Sequence, residues 1–526
     1  MQTTPLENFI EYKAQTGMQC GNYAIDVPPL NAGEQYRFHF DATACVGCRC
    51  CEVACNEQNN NPADVKWRRV GEMEGGVFPQ VMQLFNSMSC NHCIDPACLI
   101  GCPTESYIKI EATGIVVHDD ETCIGCQYCT WNCPYGVPVY HEERHIVTKC
   151  HMCHERLDVG QSPACVQACP SGAIMIETVN IERWTSEQMD DQGNMPYLPD
   201  ARLTNATTRY TLPENLEAVM DDMIERDEHL LKPAHSELPL VFMTVLTQVS
   251  LGAFAALMLG NVLSLFGLST PNWVMAVAAL IPAALGLPLS ALHLGRPLRA
   301  MTAMKNIKTS WLSREALALG IFVGMMTLNV LWYAIGIPKG LHVIFELLTL
   351  GVGVYGIYAQ SMIYRIAARP SWNRMTTNLK FFGVGYVGFT LMALVALMQH
   401  VESAVTPLLA TALVAAAAQA FFSYEDRRTL KKNGAYAYQL QRTLRLYREL
   451  FSRQVTIRAV MFVVGALLMP LLVLVLAGAG AHTAAVAVLI LSIVLSMGSE
   501  LVDRFLFYAT VVPLGMAGSF FVGKQR

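Results

Sequence analysis

No cysteine follows Cys169 in this chain of 526 residues, although it has 18 of them. Thiol chemistry is therefore confined to the first third, and a disulfide framework running through the molecule is excluded. Charge is also scarce. Asp, Glu, Lys and Arg make up 15% of the residues, against about 25% in ordinary soluble proteins. With hydrophobic residues at 53% and a net charge of −5, the composition excludes disorder and provides no basic field for nucleic acid. A mean hydropathy of +0.32 points instead to a large lipid-embedded part. Met1 to Cys20 has no basic start, no apolar run of about 7–15 residues and no twin arginine, so no targeting segment is read there. The expectation is that the cysteine-rich part stays where it is made, unless a partner carries an export signal.

Four stretches follow from composition. Residues 1–35 read as an N-terminal extension, 36–178 as a cysteine-rich region with brief β-type runs (YRFHF, GIVVHD), and 179–238 as a polar connector with an amphipathic pattern over 212–232. Residues 239–526 form the membrane part. Apolar stretches long enough to cross a hydrocarbon core, about 20 residues of helix, occur near 240–265, 273–292, 316–337, 341–364, 381–399, 406–423, 459–478 and 484–508. Glu500, Asp503 and Arg504 mark the exit of the eighth, so eight spans are preferred over nine, the apolar tail 509–523 being the alternative. Glu500 and Arg504, spaced i, i+4, are expected to pair.

The loops 293–315, 365–380 and 424–458 carry five, four and nine Lys+Arg, whereas the alternate loops carry only Lys339. By parity the basic loops share a side with the cysteine-rich region, which the positive-inside rule places in the cytoplasm of a bacterial inner membrane. The basic segment 427–458 reads as an interfacial helix on membrane lipid, a docking surface or a solvated loop.

The cysteines fall into four groups: Cys45-x₂-Cys48-x₂-Cys51-x₃-Cys55; Cys90-x₂-Cys93-x₄-Cys98-x₃-Cys102-Pro103; Cys123-x₂-Cys126-x₂-Cys129-x₃-Cys133-Pro134; and Cys150-x₂-Cys153-x₁₁-Cys165-x₃-Cys169-Pro170. Groups one and three have the bacterial ferredoxin spacing, in which three close thiolates wrap one cubane and the fourth ligates its neighbour. Four 4Fe–4S clusters are expected by this exchange. Cys45, Cys48 and Cys51 take Cys169, while Cys150, Cys153 and Cys165 take Cys55. Cys90, Cys93 and Cys98 take Cys133, while Cys123, Cys126 and Cys129 take Cys102. Zinc ribbons would need two pairs per metal without this repeat. Cys20 and Cys50 are left over as idle thiols.

These groups, with SCNHCIDPAC (89–98) and ACVQACPSGA (164–173), resemble the iron–sulfur subunit of the dimethyl sulfoxide reductase family of membrane-bound molybdenum or tungsten complexes. HLGRPLRAM (293–301), SREA (313–316) and GSELVDRFLFY (498–508) are similar to the eight-helix membrane anchor of the same complexes. The expected architecture is an α+β ferredoxin-like four-cluster domain followed by an all-α bundle of about eight transmembrane helices, two subunits joined in one chain. The resemblance implies a partner that this chain lacks, a molybdopterin-containing catalytic subunit, and an electron route through the clusters of groups one, four, two and three to the quinone pool. Some relatives carry Trp where this chain has Cys126; keeping cysteine implies four complete cubanes.

The resemblance also implies a site for quinone or menaquinone as exchangeable substrate. His293 ends the second span and Glu315 opens the third, where the family's anchor has a histidine and an acid linked to quinol; Arg299 completes the candidate site. Glu346, inside span four, is left unassigned. No haem is expected, because among His293, His342, His400 and His482 no two share one helix at workable spacing. The function expected is a redox subunit with no catalytic residue of its own beyond quinone exchange. Of the two directions, oxidation of a small substrate such as sulfite with quinone reduction is preferred to quinol-driven S-oxide or N-oxide reduction. A ferredoxin module serving a transporter is the reading from another class, and would require ionisable residues in several span centres.

Overall fold

The computed structural model describes residues 27–195, 198–214, 216, 224–225, 231–264, 272–335, 339–431, 434 and 436–515. Cys20, most of the 212–232 pattern and the end of the 509–523 tail lie outside them.

Short strands frame the cysteine-rich region: β1 (Glu34–Asp41), β2 (Arg69–Val77), β3 (Gln80–Met88), β4 (Tyr107–Lys109), β5 (Val116–His118), β6 (Val139–His141), β7 (Ile146–Thr148), β8 (Ile174–Asn180), β9 (Arg209–Thr211) and β10 (Ile224–Glu225). β1 runs antiparallel to β8, with Phe38 opposite Ile176, and parallel to β9 on its other edge. β2 and β3 form a hairpin with β10 on the free edge of β2, and β4–β5 and β6–β7 are two small hairpins. The region is too loop-rich for one continuous core; cysteines share its apolar clusters with Phe40, Met73, Ile115 and Tyr135.

Of the stretch read as a polar connector, the described residues between 179 and 214 are largely packed. Trp184 and Met189 are fully buried in that same cluster, the Trp184 indole N–H donates to the Ala206 carbonyl at 2.9 Å, and β9 completes the β1 sheet. Among the described residues Glu182, Arg183, Glu187, Asp190 and Arg202 are exposed, and Arg202 pairs with Asp190.

Among the described residues eight helices are long and apolar enough to cross a membrane: Leu238–Val262, Trp273–His293, Trp311–Ile335, His342–Ile363, Met375–Met398, Glu402–Thr429, Ser452–Gly478 and His482–Ala509. They coincide with the eight apolar stretches of the sequence. The first is covered by its neighbours over 83% of its most apolar window, against 28–56% for the others, so it is the central helix. It crosses the fifth span at glycines: a Cβ on Gly252 would collide with the Gly385 carbonyl oxygen, and one on Gly388 with the Ala253 nitrogen. Small residues let two backbones touch, the common route to helix association in lipid.

Spans five to eight are tied together at one end by buried ions. Arg374 pairs with Asp426 at 2.8 Å, Lys380 with Asp503 at 3.0 Å and with Asp426 at 3.6 Å, and Arg458 with Asp503 at 3.4 Å. Glu500 and Arg504 do not form the expected pair. Glu500 accepts hydrogen bonds from Tyr386 and Gln419, both at 3.1 Å, and Arg504 donates to Gln248 of the first span at 3.0 Å. Interhelical partners displace the i, i+4 contact because each charge is buried and a neutral amide or phenol is already in place. The segment 437–450 is helical; Leu446 and the following Phe451 are buried, Phe451 packing with Leu506 and Ala509 of the last span.

The cysteine-rich region rests on the loop between the second and third spans. Gly295 N–H donates to the Gly125 carbonyl at 3.4 Å and Arg296 N–H to Ile124 at 3.0 Å. The approach is close enough that a Cβ on Gly295 would collide with the His145 carbonyl oxygen. Gly295→Ala is therefore expected to cost about 1–3 kcal/mol, the range for overpacking, and to raise hydrogen exchange at 120–125 and 293–300. Gly320→Ala, where the added methyl meets nothing within 4 Å, should change neither.

A candidate iron–sulfur relay docked on the membrane bundle

Each cysteine group opens with the same backbone device. The second residue after the first cysteine is left-handed in all four: Gly47 (φ 66°), His92 (φ 42°), Gly125 (φ 68°) and Met152 (φ 58°). That twist turns its N–H back onto the first sulfur. The bonds are 3.4 Å from His92 to Cys90, 3.4 Å from Gly125 to Cys123 and 3.4 Å from Met152 to Cys150, and Gly47 makes the equivalent bond to Cys45. Successive N–H groups in such turns form anion-binding concavities. Glycine suits two of the positions on conformational grounds; His92 and Met152 hold the same conformation by burial.

The thiols gather in groups that match the crossed sets, except that Cys51 interacts with Cys165 rather than with Cys45, Cys48 or Cys169. One cavity is lined by Cys90, Cys93, Cys98 and Cys133, and another by Cys55, Cys150, Cys153 and Cys165. Electrostatic neighbours give the other two sets: Cys45 interacts with Cys48 and Cys169, and Cys126 and Cys129 with Cys102 and Cys123. Cys50 is exposed and hydrogen-bonded to Cys48. The sets are too open for single ions. Sulfurs around one tetrahedral zinc would sit about 3.8 Å apart, given Zn–S of about 2.3 Å. Among the described residues the one trio of potential ligand atoms within 4.8 Å of one another is His151, His154 and Glu155, with no cysteine. Wide four-thiol cavities with inward N–H groups fit an iron–sulfur cubane.

Burial pushes the Cys51 and Cys133 thiols up to about 11 and those of Cys126 and Cys153 up to about 12. Unliganded, these groups are neutral at physiological pH; a coordinating metal deprotonates them. Two buried cations stand among the sets. Burial opposes the charge of Arg68, but Cys165, Cys51, Cys150 and Cys55 as thiolates outweigh that and raise its affinity for the proton. Arg68 is fixed by Ser87 and Ser89 and by the Phe38 ring, 4.6 Å from its guanidinium carbon. Lys149 Nζ lies 3.7 Å from Cys90 Sγ and donates to the Cys150 carbonyl at 2.8 Å. Arg68 thus bridges sets one and four, and Lys149 bridges sets four and two. Set three is joined to set two by exchange of Cys102 and Cys133, so the spatial sequence is one, four, two, three.

Set three lies against the membrane bundle. Asn306 donates to the Cys102 carbonyl at 2.9 Å, Ser310 to Gly101 at 2.8 Å and Thr309 to Ile100 at 2.8 Å. Arg296 reaches the carbonyls of Asp120 (2.8 Å) and Cys123 (3.2 Å), and Arg299 that of Glu121. Arg296 and Arg299 of this basic loop are docking groups, a role that charge counting does not separate from topology. Tyr128, two residues after Cys126, donates to the Ile363 carbonyl at 3.1 Å. Trp131 inserts among Tyr364, Trp372 and Tyr508, with ring centroids 5.5–6.3 Å away.

Of the three residues expected at a lipid-facing site, Arg299 serves this interface, His293 directs Nδ1 to the Ser290 carbonyl, and Glu315 is buried and hydrogen-bonded to Gln360. Gln360 accepts from Gln248 at 2.8 Å, which in turn accepts from Arg504. Tyr128 is raised first by burial and then by Cys126 and Glu315, which places that phenol within electrostatic reach of both. Sequence reasoning misses Gln248, Gln360, Tyr364 and Arg504 as members of this site. Gln and Arg inside apolar runs are the signal that could have found them.

A family model described as DMSO reductase anchor subunit (DmsC) matches residues 232–510, more than half of the chain, and one described as 4Fe-4S dicluster domain matches 81–179. The B subunit of the anaerobic dimethyl sulfoxide reductase of Haemophilus influenzae is 42% identical over 150 residues, 27% of this chain and 73% of that protein. Its Escherichia coli counterpart is 41% identical over 148 residues, 27% and 72% respectively. The iron-sulfur subunit of the nitrate-inducible formate dehydrogenase of Escherichia coli is 39% identical over 154 residues, 26% of this chain and 52% of that protein. The chain therefore belongs to the DMSO reductase anchor subunit family, with an iron–sulfur subunit of the same class of molybdoenzyme complex fused ahead of the anchor.

Proposed function

We propose that this chain carries electrons between a molybdopterin-containing catalytic partner and the quinone pool, through four 4Fe–4S clusters held by the sixteen cysteines in the crossed sets described above. The observation that carries the proposal is the seating of the Cys102, Cys123, Cys126 and Cys129 set on the membrane bundle, beside Tyr128 and Glu315. Bound cubanes supply one-electron transfer and no bond chemistry. The chain's own residues do the rest. Inward N–H groups, Arg68 and Lys149 offset the negative charge of the thiolates, and the loop 295–313 keeps the last set at a fixed place on the bundle. Quinone chemistry adds protons as well as electrons. His293 and Glu315 are the groups that hold or release a proton at that end of the bundle, with Gln360 orienting the Glu315 carboxyl. No haem is invoked.

The basic loops support placing the iron–sulfur region in the cytoplasm of a bacterial inner membrane, and with it the oxidation of a small substrate such as sulfite with quinone as acceptor. The similarity to the dimethyl sulfoxide reductase subunits supports a second reading, quinol oxidation driving reduction of an S-oxide or N-oxide. Anaerobic spectroscopy of the complex separates them: bleaching of the iron–sulfur absorbance by sulfite, or by a quinol followed by reoxidation with the oxide.

Iron analysis of the purified chain is expected to return about sixteen atoms per polypeptide, four for each cubane, and zinc in their place would remove the relay. In rapid mixing with a quinol, His293→Ala and Glu315→Gln should slow iron–sulfur reduction about 10²-fold, as loss of a positioned proton-transfer group does. Reduction by dithionite and the iron content should stay at the parental values in both variants.

A further inference from the structure

At the end of the bundle away from the iron–sulfur region lies a second buried carboxylate. Glu346, in the fourth span, is completely inaccessible to solvent. Its carboxylate accepts from the Tyr333 hydroxyl at 2.7 Å and from the Asn261 amide at 2.9 and 2.7 Å, and His342 Nε2 is 3.7 Å away. His342 sits one turn nearer the membrane face and Nε2 also meets Asn329 Oδ1 at 3.2 Å. Its ring is stacked on Trp332 (centroids 5.0 Å, 9°) and edge-on to Tyr333. Among the described residues the titratable groups facing Glu346 are Tyr333 from the third span and His342 from its own; the first span contributes the neutral Asn261.

We propose that Glu346 and His342 form a proton-binding site that opens to the membrane face opposite the iron–sulfur region. An ionisable group buried at membrane depth is costly and is retained for a task. The ligand is a proton rather than a metal ion because the groups aimed at the carboxylate are donors. Tyr333 O–H and Asn261 N–H₂ fill three of the carboxylate's roughly four lone-pair positions and leave one on Oε2 for a proton, and among the described residues no second carboxylate joins this cluster. His342, itself buried, is the titratable group on the outward side of Glu346. It begins the fourth span, beside the charge-poor face, and its imidazole reaches the carboxylate by one turn of helix.

The site does not communicate with Glu315. His342, Glu346, Thr349, Gly353, Gly356 and Gln360 lie on one face of the fourth span, and between Glu346 and Gln360 the helix rises about 21 Å. The middle of that face is packed against the third span. A Cβ on Gly353 would meet the Phe322 ring at 2.6 Å, and one on Gly356 the Leu319 side chain at 2.7 Å; both side chains are fully buried. These contacts stand between the two carboxyl groups. Proton exchange at Glu346 is thus confined to its own face, and this holds whether or not quinone reacts at the other end.

The test uses the full complex in lipid vesicles, iron–sulfur region outward, treated with dicyclohexylcarbodiimide. A protonated carboxyl adds across the carbodiimide and rearranges to an N-acylurea with no leaving group, and peptide mass spectrometry locates the adduct. Raising the luminal pH from about 6 to about 9 should reduce labelling of Glu346 roughly tenfold, because the carboxylate does not react, whereas the same change outside should not alter it. Tyr333→Phe removes a hydrogen bond to the charged form and should carry the fall to higher luminal pH; E346Q should lose this adduct and keep any on Glu315. Labelling that follows the outer pH, no adduct on Glu346 at any luminal pH, or an unmoved profile in Tyr333→Phe would each overturn the proposal.

Discussion

The structure depends on a set of backbone carbonyls. Residues 100–103 and 120–125 carry the ligand loops of the innermost thiol set, and their carbonyl groups are received by Asn306, Thr309, Ser310, Arg296 and Arg299 of one interhelical loop. Side chains that bind main chain define position without regard to which residues flank the cysteines. A hydrogen bond of this kind is worth about 1 kcal/mol net, and several acting on two short loops hold a loop-rich region without a continuous core. This contact brings Cys102 and Cys126 to the end of the third span.

Inside the cysteine-rich region, electrostatics does what a hydrophobic core does elsewhere. Sixteen thiols in one small volume become strongly anionic once liganded, and the region answers with buried Arg68 and Lys149 and with N–H groups from left-handed turns. The cations lie between sets rather than around them. Each therefore lowers the repulsion of two neighbours at once, and its removal would be felt on both sides.

Local features are legible in the sequence and long-range ones are not. The cysteine groups follow from spacing because in three of the four sites three ligands lie within a few residues, the fourth group stretching to Cys165 across eleven residues, and the exchange of the last ligand is built into the x₃ step. The spans follow from hydropathy. The fold-back of 179–238 is hidden because Trp184, Met189 and Tyr210 are scattered singly through a polar stretch. The docking role of Arg296 and Arg299 is hidden because a basic loop satisfies topology and docking alike. Polar residues such as Gln248 and Gln360 gain meaning only when a partner from another span is known, and no one-dimensional pattern supplies it. The same limitation conceals the partners of Glu500 and Arg504, whose neighbours in the chain are not their neighbours in space.

The first span leaves the iron–sulfur region and enters the middle of the bundle, and Ala234 N–H is bonded to the Ala509 carbonyl at the close of the eighth span. During synthesis the most protein-covered helix thus reaches the membrane before any of the seven that will cover it. Until the fifth span arrives to fill the groove at Gly252, that surface faces lipid tails. Maturation of the complex is consequently ordered from the inside outward, and the last of the eight helices to be made is the one that locks the first residues of the bundle in place.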